Sequence, residues 1–370
     1  MRLAPIKTRK KISFIGVNAI TSKFAVKLLM FFCVRFCSQT VEKASTRICL
    51  LLDNSAAKCH VLLMVSDKYD RLRALLRSYG SCLVAYSGGV DSVFLACVAH
   101  QVLGKKSLAV IADSPSLPRR ELEAALATAK QFDFPVRIVR TQEFENPVYL
   151  ANPNNRCYFC KHELFTELAP LAKAEGFAVI AYGENASDMG DFRPGAQAAA
   201  EFQVRAPLKE ARLTKAEIRQ LSAELGLPTA DKPQMACLSS RIPYGEQVTK
   251  EKLLMIEQAE NVLRDLGFYD VRVRHHELGG STVENRITAN ETQTQAPASL
   301  ITNHASLTTH LARIEVGASE LPPLLESGLA ARVAASLKQL GYSHVTLDLQ
   351  GYRRGSLNES SVKKVEPPSH

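Results

Sequence analysis

Apolar positions along this chain switch repeatedly between two periods. Leu72, Leu75 and Leu76 fall on one helical stripe, which predicts a helix over Tyr69–Tyr79. Ser81–Tyr86 is a short apolar run, read as a buried strand, and Val93–Leu103 reads as the helix after it. The alternation continues with a strand at Ser107–Ala112, a helix at Pro118–Phe132 with proline in its first turn, and a strand at Val136–Thr141. A helix at Phe159–Glu175, a strand at Ala178–Tyr182 and a helix at Lys215–Leu225 follow, the last stopped by Gly226 and Pro228. Strands alternating with helices in this way imply βαβ units, and so an α/β fold whose parallel sheet is covered by helices on both faces.

Near Pro243 the pattern changes. A helix at Lys250–Leu266 leads into an alternating strand, Asp270–His276. Leu278–Thr309 is rich in Thr, Asn, Ser and Gln without a clear period and reads as a loop insertion. A strand at Leu311–Val316, a helix at Leu329–Leu340 and a strand at His344–Leu349 complete the run. We therefore expect one domain over 64–243 and a smaller α/β domain over 244–358, with a disordered tail at 359–370. At 370 residues the chain has room for both.

Residues 1–63 do not share this regularity. They hold eleven Lys/Arg against only Glu42 and Asp53, a surplus of nine, whereas the other 307 residues carry 35 charges of each sign. The whole net charge of +9 therefore belongs to the N-terminal segment, and the neutral body argues against nucleic acid as a partner. Phe24–Phe36 is apolar but interrupted by Lys27 and Arg35, and it is too short to span a bilayer. No small-x-small cleavage site follows it, so the segment reads as a disordered extension or as the result of a start upstream of Met64, and no membrane association is expected. Overall usage, 46% hydrophobic and 22% charged, excludes a wholly disordered, collagenous or membrane-embedded chain. Nine cysteines, an odd count in a chain too large to need a disulfide framework, point to a reducing compartment and a cytoplasmic protein.

Two constellations carry chemistry. The first is Ser87-Gly88-Gly89-Val90-Asp91-Ser92, between the first strand of the body and its helix. Two glycines allow a tight turn with exposed N–H groups. The helix N-terminus behind them favours an anion. Ser87 and Ser92 add hydroxyl donors. Asp91 would repel a phosphate unless a cation lay between them, which points to Mg²⁺. A plain glycine turn is the bland alternative, and the GxxxxGK[S/T] pattern of a Walker loop is absent. Asp113 and Ser114, after the next strand, would face the same crevice. The loop Gly183-Glu-Asn-Ala-Ser-Asp188 follows the fourth strand and reads either as a second nucleotide-side loop or as a simple turn.

The second constellation is Cys157-x-x-Cys160 with Cys237 in a later loop. Two thiolates on one turn suit a soft metal or a cluster, and three cysteines leave one corner of a cubane open. Unrelated thiols, or a Cys₃ zinc site with an unseen fourth ligand, are the alternatives. Cys82 and Cys97 read as core. Arg272 and Arg274 alternate along one strand and share a face, where they would grip a nucleotide phosphate or merely be solvated. Arg241, four residues after Cys237, would neutralise a substrate carboxylate or the leaving phosphate. Glu260 and Glu315 would hold a metal, orient these arginines, or lie on the surface. His275 and His276 have no partner identifiable from the sequence.

The hexapeptide resembles the signature of PP-loop ATP pyrophosphatases (adenine nucleotide alpha hydrolase-like enzymes), which split ATP between its α and β phosphates. Asn152–Lys161, Gly183–Asp188, Ala236–Gly245, Val271–His275, Ala312–Glu315 and Gly351–Glu359 together resemble one group within it, the LarE family of ATP-dependent sacrificial sulfur transferases. The resemblance runs from about Lys68 to Glu359 and departs at residues 1–63 and in the insertion. It implies adenylation of a carboxylate of pyridinium-3,5-biscarboxylic acid mononucleotide, then replacement of AMP by sulfur in nickel-pincer cofactor synthesis. It also implies Cys237, Asp91 and Arg241 as catalytic groups, and Ser87–Ser92 with Asp113, Ser114 and Asp188 around ATP and Mg²⁺. Arg272, Arg274, Glu260 and Glu315 would then lie at the substrate. Members with one cysteine matching Cys237 give up its sulfur, whereas in members with a CxxC as well, three cysteines hold a 4Fe–4S cluster. This chain looks like the second type, with a homo-oligomer and a sulfide or persulfide donor protein as expected partners. A tRNA thiolase and an amide-forming adenylating synthetase are the rival enzymes, and a non-catalytic nucleotide or zinc binder is the rival of another class.

Overall fold

A computed structural model describes residues 65–188, 194–234, 236–278 and 309–353. Expectations for residues 1–63, for most of the insertion and for the tail lie outside these residues. Helix α1 (65–79) precedes β1 (Cys82–Tyr86), α2 (Val90–Leu103), β2 (Ser107–Asp113), α3 (Arg119–Gln131) and β3 (Val136–Arg140). Helix α4 (Arg156–Glu175), β4 (Val179–Tyr182), α5 (Pro194–Glu201) and α6 (Lys215–Glu224) complete the first layer system. The strands form one four-stranded parallel sheet in the order β3-β2-β1-β4.

This is the α/β architecture that the alternation implies. Strand β1 is buried almost throughout because it is central, which is why it reads as a continuous apolar run. Helix α2 has nine buried residues among its fourteen and packs into the core with α1 and α6. Edge strand β3 instead carries exposed Arg137 and Arg140, charges that discourage pairing with another chain. Helix α6 starts at a reciprocal capping box of Thr214 and Glu217. Helix α4 starts at Arg156, three residues before the expected start, so both cysteines of the CxxC lie inside it. No helix of the described residues is long and apolar enough to cross a membrane.

Helix α7 (Lys250–Asp265), β5 (Val271–Leu278), β6 (Thr309–Val316), α8 (Ser327–Gln339) and β7 (His344–Leu347) build a second sheet, in the order β5-β6-β7. Strands β5 and β6 pair antiparallel from Val271↔Val316 to Leu278↔Thr309, and β7 is parallel to β6. Both strands run further than alternation predicts, so Leu278 and Thr309 belong to the sheet rather than to the insertion. On one face, Val271, Val273, Ala312, Ile314 and Val316 form an apolar core with residues of α7 and α8. The arginines of β5 alternate with that face.

Candidate functional site

The strand order places a switch between β1 and β4, since β2 and β3 lie on one side of β1 and β4 on the other. In open α/β sheets the carboxyl edge at such a switch is where ligands bind. The loops after β1 and β4 meet there. Gly88 sits at φ +71°, and a Cβ on it would lie 2.7 Å from the Cβ of Ala125 in α3. A Cβ on Gly183 would meet Ser92 N at 3.0 Å and Asp91 Cβ at 3.1 Å. Glycine at these two places lets three segments close on one another. We expect Gly88→Ala to lose about 1–3 kcal/mol of stability from the left-handed backbone alone, read from the urea midpoint. An unchanged midpoint would contradict this account of the turn.

Within the loop, Ser92 Oγ accepts from Ser87 N at 3.1 Å and donates to Gly89 O at 3.1 Å. Its hydroxyl also lies 3.1 Å from Ser87 Oγ. Asp91 stands in the first turn of α2. Its Oδ2 accepts from Lys215 Nζ at 2.7 Å, whereas its Oδ1 is buried without a hydrogen-bond partner. Burial raises the Asp91 carboxyl above its usual range, Lys215 opposes this, and the charge of Asp188 adds to the rise. An orphaned carboxylate oxygen beside a bed of N–H groups fits a magnesium ion carried by a triphosphate.

Asp188 Oδ2 accepts from Asn185 N at 3.2 Å, and Lys215 N donates to Ser187 Oγ at 3.0 Å, which ties the β4 loop to α6. Asp113 and Ser114 lie at the same edge but are engaged elsewhere. Arg119 Nη1 donates to Asp113 Oδ1 at 2.5 Å, and Ser114 Oγ accepts from Ser116 N at 3.2 Å.

The segment holding Cys237 reaches this edge. At one end Lys232 Nζ donates to Gly88 O at 3.1 Å and pairs with Glu121 at 2.6 Å. At the other, Leu238 N donates to Ser116 O at 2.8 Å. Three buried hydroxyls, those of Ser116, Tyr149 and Ser239, form a closed triangle with sides of 2.6, 2.6 and 2.9 Å. Cys160 packs against the apolar cluster that includes Tyr149 and Leu238, so the CxxC helix and the Cys237 loop converge. Burial pushes the Cys160 thiol well above its usual range, and the charges of Cys237, Glu143 and Cys157 push the same way. Cys157 is exposed, while Cys82 and Cys97 are core residues.

Four buried arginines hold the backbone around Cys237. Arg156 Nη1 donates to Ser239 O at 3.0 Å and Nη2 lies 4.0 Å from Cys237 Sγ. Arg241 Nη1 donates to Ala236 O at 2.7 Å and Cys237 O at 3.1 Å. Arg272 Nη2 donates to Gln234 O at 2.6 Å, and Arg274 Nη1 to Ser240 O at 2.7 Å. The guanidinium of Arg272 also lies over the ring of Tyr352, 4.7 Å from its centroid. Two fully buried carboxylates partner this group: Glu260 receives Arg241 Nε at 2.7 Å, and Glu315 receives Arg274 Nη2 at 2.9 Å.

These positions bear on three expectations. Arg241 is fully buried, paired with Glu260 and hydrogen-bonded to the Cys237 loop. Arg272 and Arg274 share a face as expected, yet that face is packed, not solvated. Glu260 and Glu315 are interior groups that hold Arg241 and Arg274, one of the roles the sequence left open. Lys215, Lys232 and the hydroxyl triangle were not foreseen, and Arg156 was noted only as a flank of the CxxC. Of these only Lys215 has a local signal, standing at the start of a capped helix on the switch edge.

No family model matches the chain. An uncharacterised protein of Synechocystis is 41% identical over 300 residues, covering 81% of this chain and all of its own. The pyridinium-3,5-bisthiocarboxylic acid mononucleotide synthase of Lactiplantibacillus plantarum is 30% identical over 300 residues, covering 81% of this chain and 96% of its own. A component chain of the glutamine-hydrolysing GMP synthase of Pyrococcus furiosus is 26% identical over 220 residues, covering 53% of this chain and 67% of its own.

Proposed function

The chain belongs to the family of pyridinium-3,5-bisthiocarboxylic acid mononucleotide synthases, the LarE family, and from that premise we propose that it is an ATP-dependent sulfur transferase acting on a small anionic nucleotide. A carboxylate oxygen of the substrate attacks the α phosphorus of ATP, and pyrophosphate leaves. A sulfur nucleophile then attacks the activated carbonyl carbon, and AMP leaves with the bonding pair. The observation that carries this reading is a single segment, 232–241. It touches the phosphate loop through Lys232 and holds Cys237 among four guanidinium groups.

This chain's residues divide the work. The N–H groups and hydroxyls of Ser87–Ser92 grip the phosphates, Asp91 holds the cation, and Lys215 keeps the Asp91 carboxylate in place. The cationic surplus around Cys237 draws the nucleotide substrate towards the thiols.

Cys157, Cys160 and Cys237 together would hold a 4Fe–4S cluster. Thiolates on a single tetrahedral zinc stand about 3.8 Å apart, from a Zn–S bond of about 2.3 Å. A cubane would place each cysteine on a separate iron. Bound there, such a cluster would leave one iron free of cysteine and would supply sulfide for the transfer.

Anaerobic purification with iron, sulfide and zinc analysis tests this directly. We expect iron and sulfide in the purified protein, product formation with no change in chain mass, and loss of both iron and thiocarboxylate formation in Cys157→Ala. Dehydroalanine at Cys237 after one turnover, with Cys157→Ala still active for that round, would instead make Cys237 the sulfur source. In either case ADP as the main nucleotide product would overturn the adenylation step.

A further inference from the structure

The stem of the β5–β6 hairpin carries a cluster that the sulfur chemistry does not use. His275 and Glu277 lie two residues apart on β5 and so share a face, while His310 on β6 is directly opposite Glu277. One ligand atom from each of the three lies within 4.8 Å of the other two. We propose that His275, Glu277 and His310 form a binding site for a divalent transition ion of the zinc class, clamping the two strands where the insertion leaves the sheet.

Three observations carry this. First, His275 is fully buried, yet its Nε2 has no hydrogen-bond partner. A buried unpaired nitrogen is costly, and a metal ion removes that cost. Second, His275 Nδ1 lies 3.2 Å from the hydroxyl of Tyr342. If that nitrogen donates, the lone pair falls on Nε2; such an outer partner is the usual companion of a metal-ligating histidine. Third, His310 Nδ1 also lacks a partner, and the two imidazole rings stand with centroids 4.9 Å apart.

Donor chemistry selects the ion. Two imidazoles and a carboxylate suit zinc and its neighbours, whereas magnesium and calcium prefer oxygen alone. Ligand atoms on one tetrahedral zinc lie about 3.3 Å apart, from bonds of about 2.0 Å, so the three side chains need only small rotations to close. Lys252 Nζ competes for the carboxylate, holding Glu277 Oε2 at 2.9 Å and Gln247 O at 2.8 Å. It leaves Glu277 Oε1 as the ligand oxygen and the fourth position open to water. The location explains the use. Thirty residues, 279–308, separate the paired Leu278 and Thr309, and a metal clip at the stem offsets the entropy of closing so long a connection.

The test is a Co²⁺ titration of the full chain carrying Cys157→Ser, Cys160→Ser and Cys237→Ser, which removes the proposed cluster site. We expect one equivalent to bind with visible d–d absorption, no sulfur-to-cobalt charge transfer, and displacement by Zn²⁺. His310→Ala should weaken binding more than about tenfold, the loss already seen when only an outer-shell partner is removed. Glu277→Gln serves the same purpose if His310→Ala does not fold. Unaltered Co²⁺ affinity and spectrum in either folded variant would overturn the site, as would cobalt bound only with charge-transfer bands. Neither result bears on sulfur transfer, since the three cysteines of that reading are absent throughout.

Discussion

Asp91→Asn should cut substrate-dependent pyrophosphate release by about 10²–10³-fold, the loss typical when one preorganised charge-stabilising group is removed from an active site. The variant keeps the shape of the side chain, so Gly183 and Ser92, which pack against it, need not move. What disappears is the negative charge that Lys215 and burial hold in balance. In the parent, Oδ1 is desolvated and unpaired, an arrangement that costs stability unless a cation completes it. Asparagine relieves that cost, so the variant should melt at the same temperature or slightly higher while losing turnover. This combination separates a functional carboxylate from a structural one. Release of pyrophosphate within threefold of the parent rate would refute the assignment of Asp91 as the cation ligand.

Much of this site was legible because its parts are local. The hexapeptide Ser87–Ser92 combines a turn, a helix start and a carboxylate within six residues, so its chemistry follows from adjacency. Alternation along β5 likewise put Arg272 and Arg274 on one face. What alternation could not reveal was what that face meets. Arginines at every second position of a strand pattern look solvated; here their partners are the carbonyls of Gln234 and Ser240, more than thirty residues away in sequence. The partner of Arg241 was hidden for the same reason, its carboxylate lying nineteen positions on, in α7. Helix α5 was missed because its buried face consists of Gly195, Ala198 and Ala199, side chains too small to mark an apolar stripe. The ends of β5 and β6 were set too short because Glu277 and His310 look like loop residues until they are paired.

The buried Arg241–Glu260 pair offers the largest stability effect. Glu260 Oε1 accepts from Arg241 Nε and Val273 N, and Oε2 accepts from Arg241 Nη2 and Arg264 Nη2. All four contacts are donors, so Glu260→Gln turns an amide NH₂ towards N–H groups and strands a buried guanidinium. Breaking a buried pair from one side costs about 3–5 kcal/mol, and the urea midpoint should fall accordingly. Replacing both partners, as in Arg241→Met with Glu260→Met, should recover much of that loss, since apolar substitutes for a buried pair are often neutral. Sulfur transfer should not recover with it, because the Ala236 and Cys237 carbonyls still lack their donor. Pyrophosphate release should be less affected, since Asp91 and its loop are unaltered. Acid titration supplies an independent check. Burial works to raise the Glu260 carboxyl, but Arg241, Arg264 and Arg272 outweigh it and leave it below the usual range. A depressed carboxylate contributes stability that is present above its unfolded value of about 4.3 and is lost as the pH falls through the folded value. The double variant should therefore lose less stability on acidification than the parent. Equal acid sensitivity, or full sulfur transfer in the double variant, would show that the pair does not position Cys237.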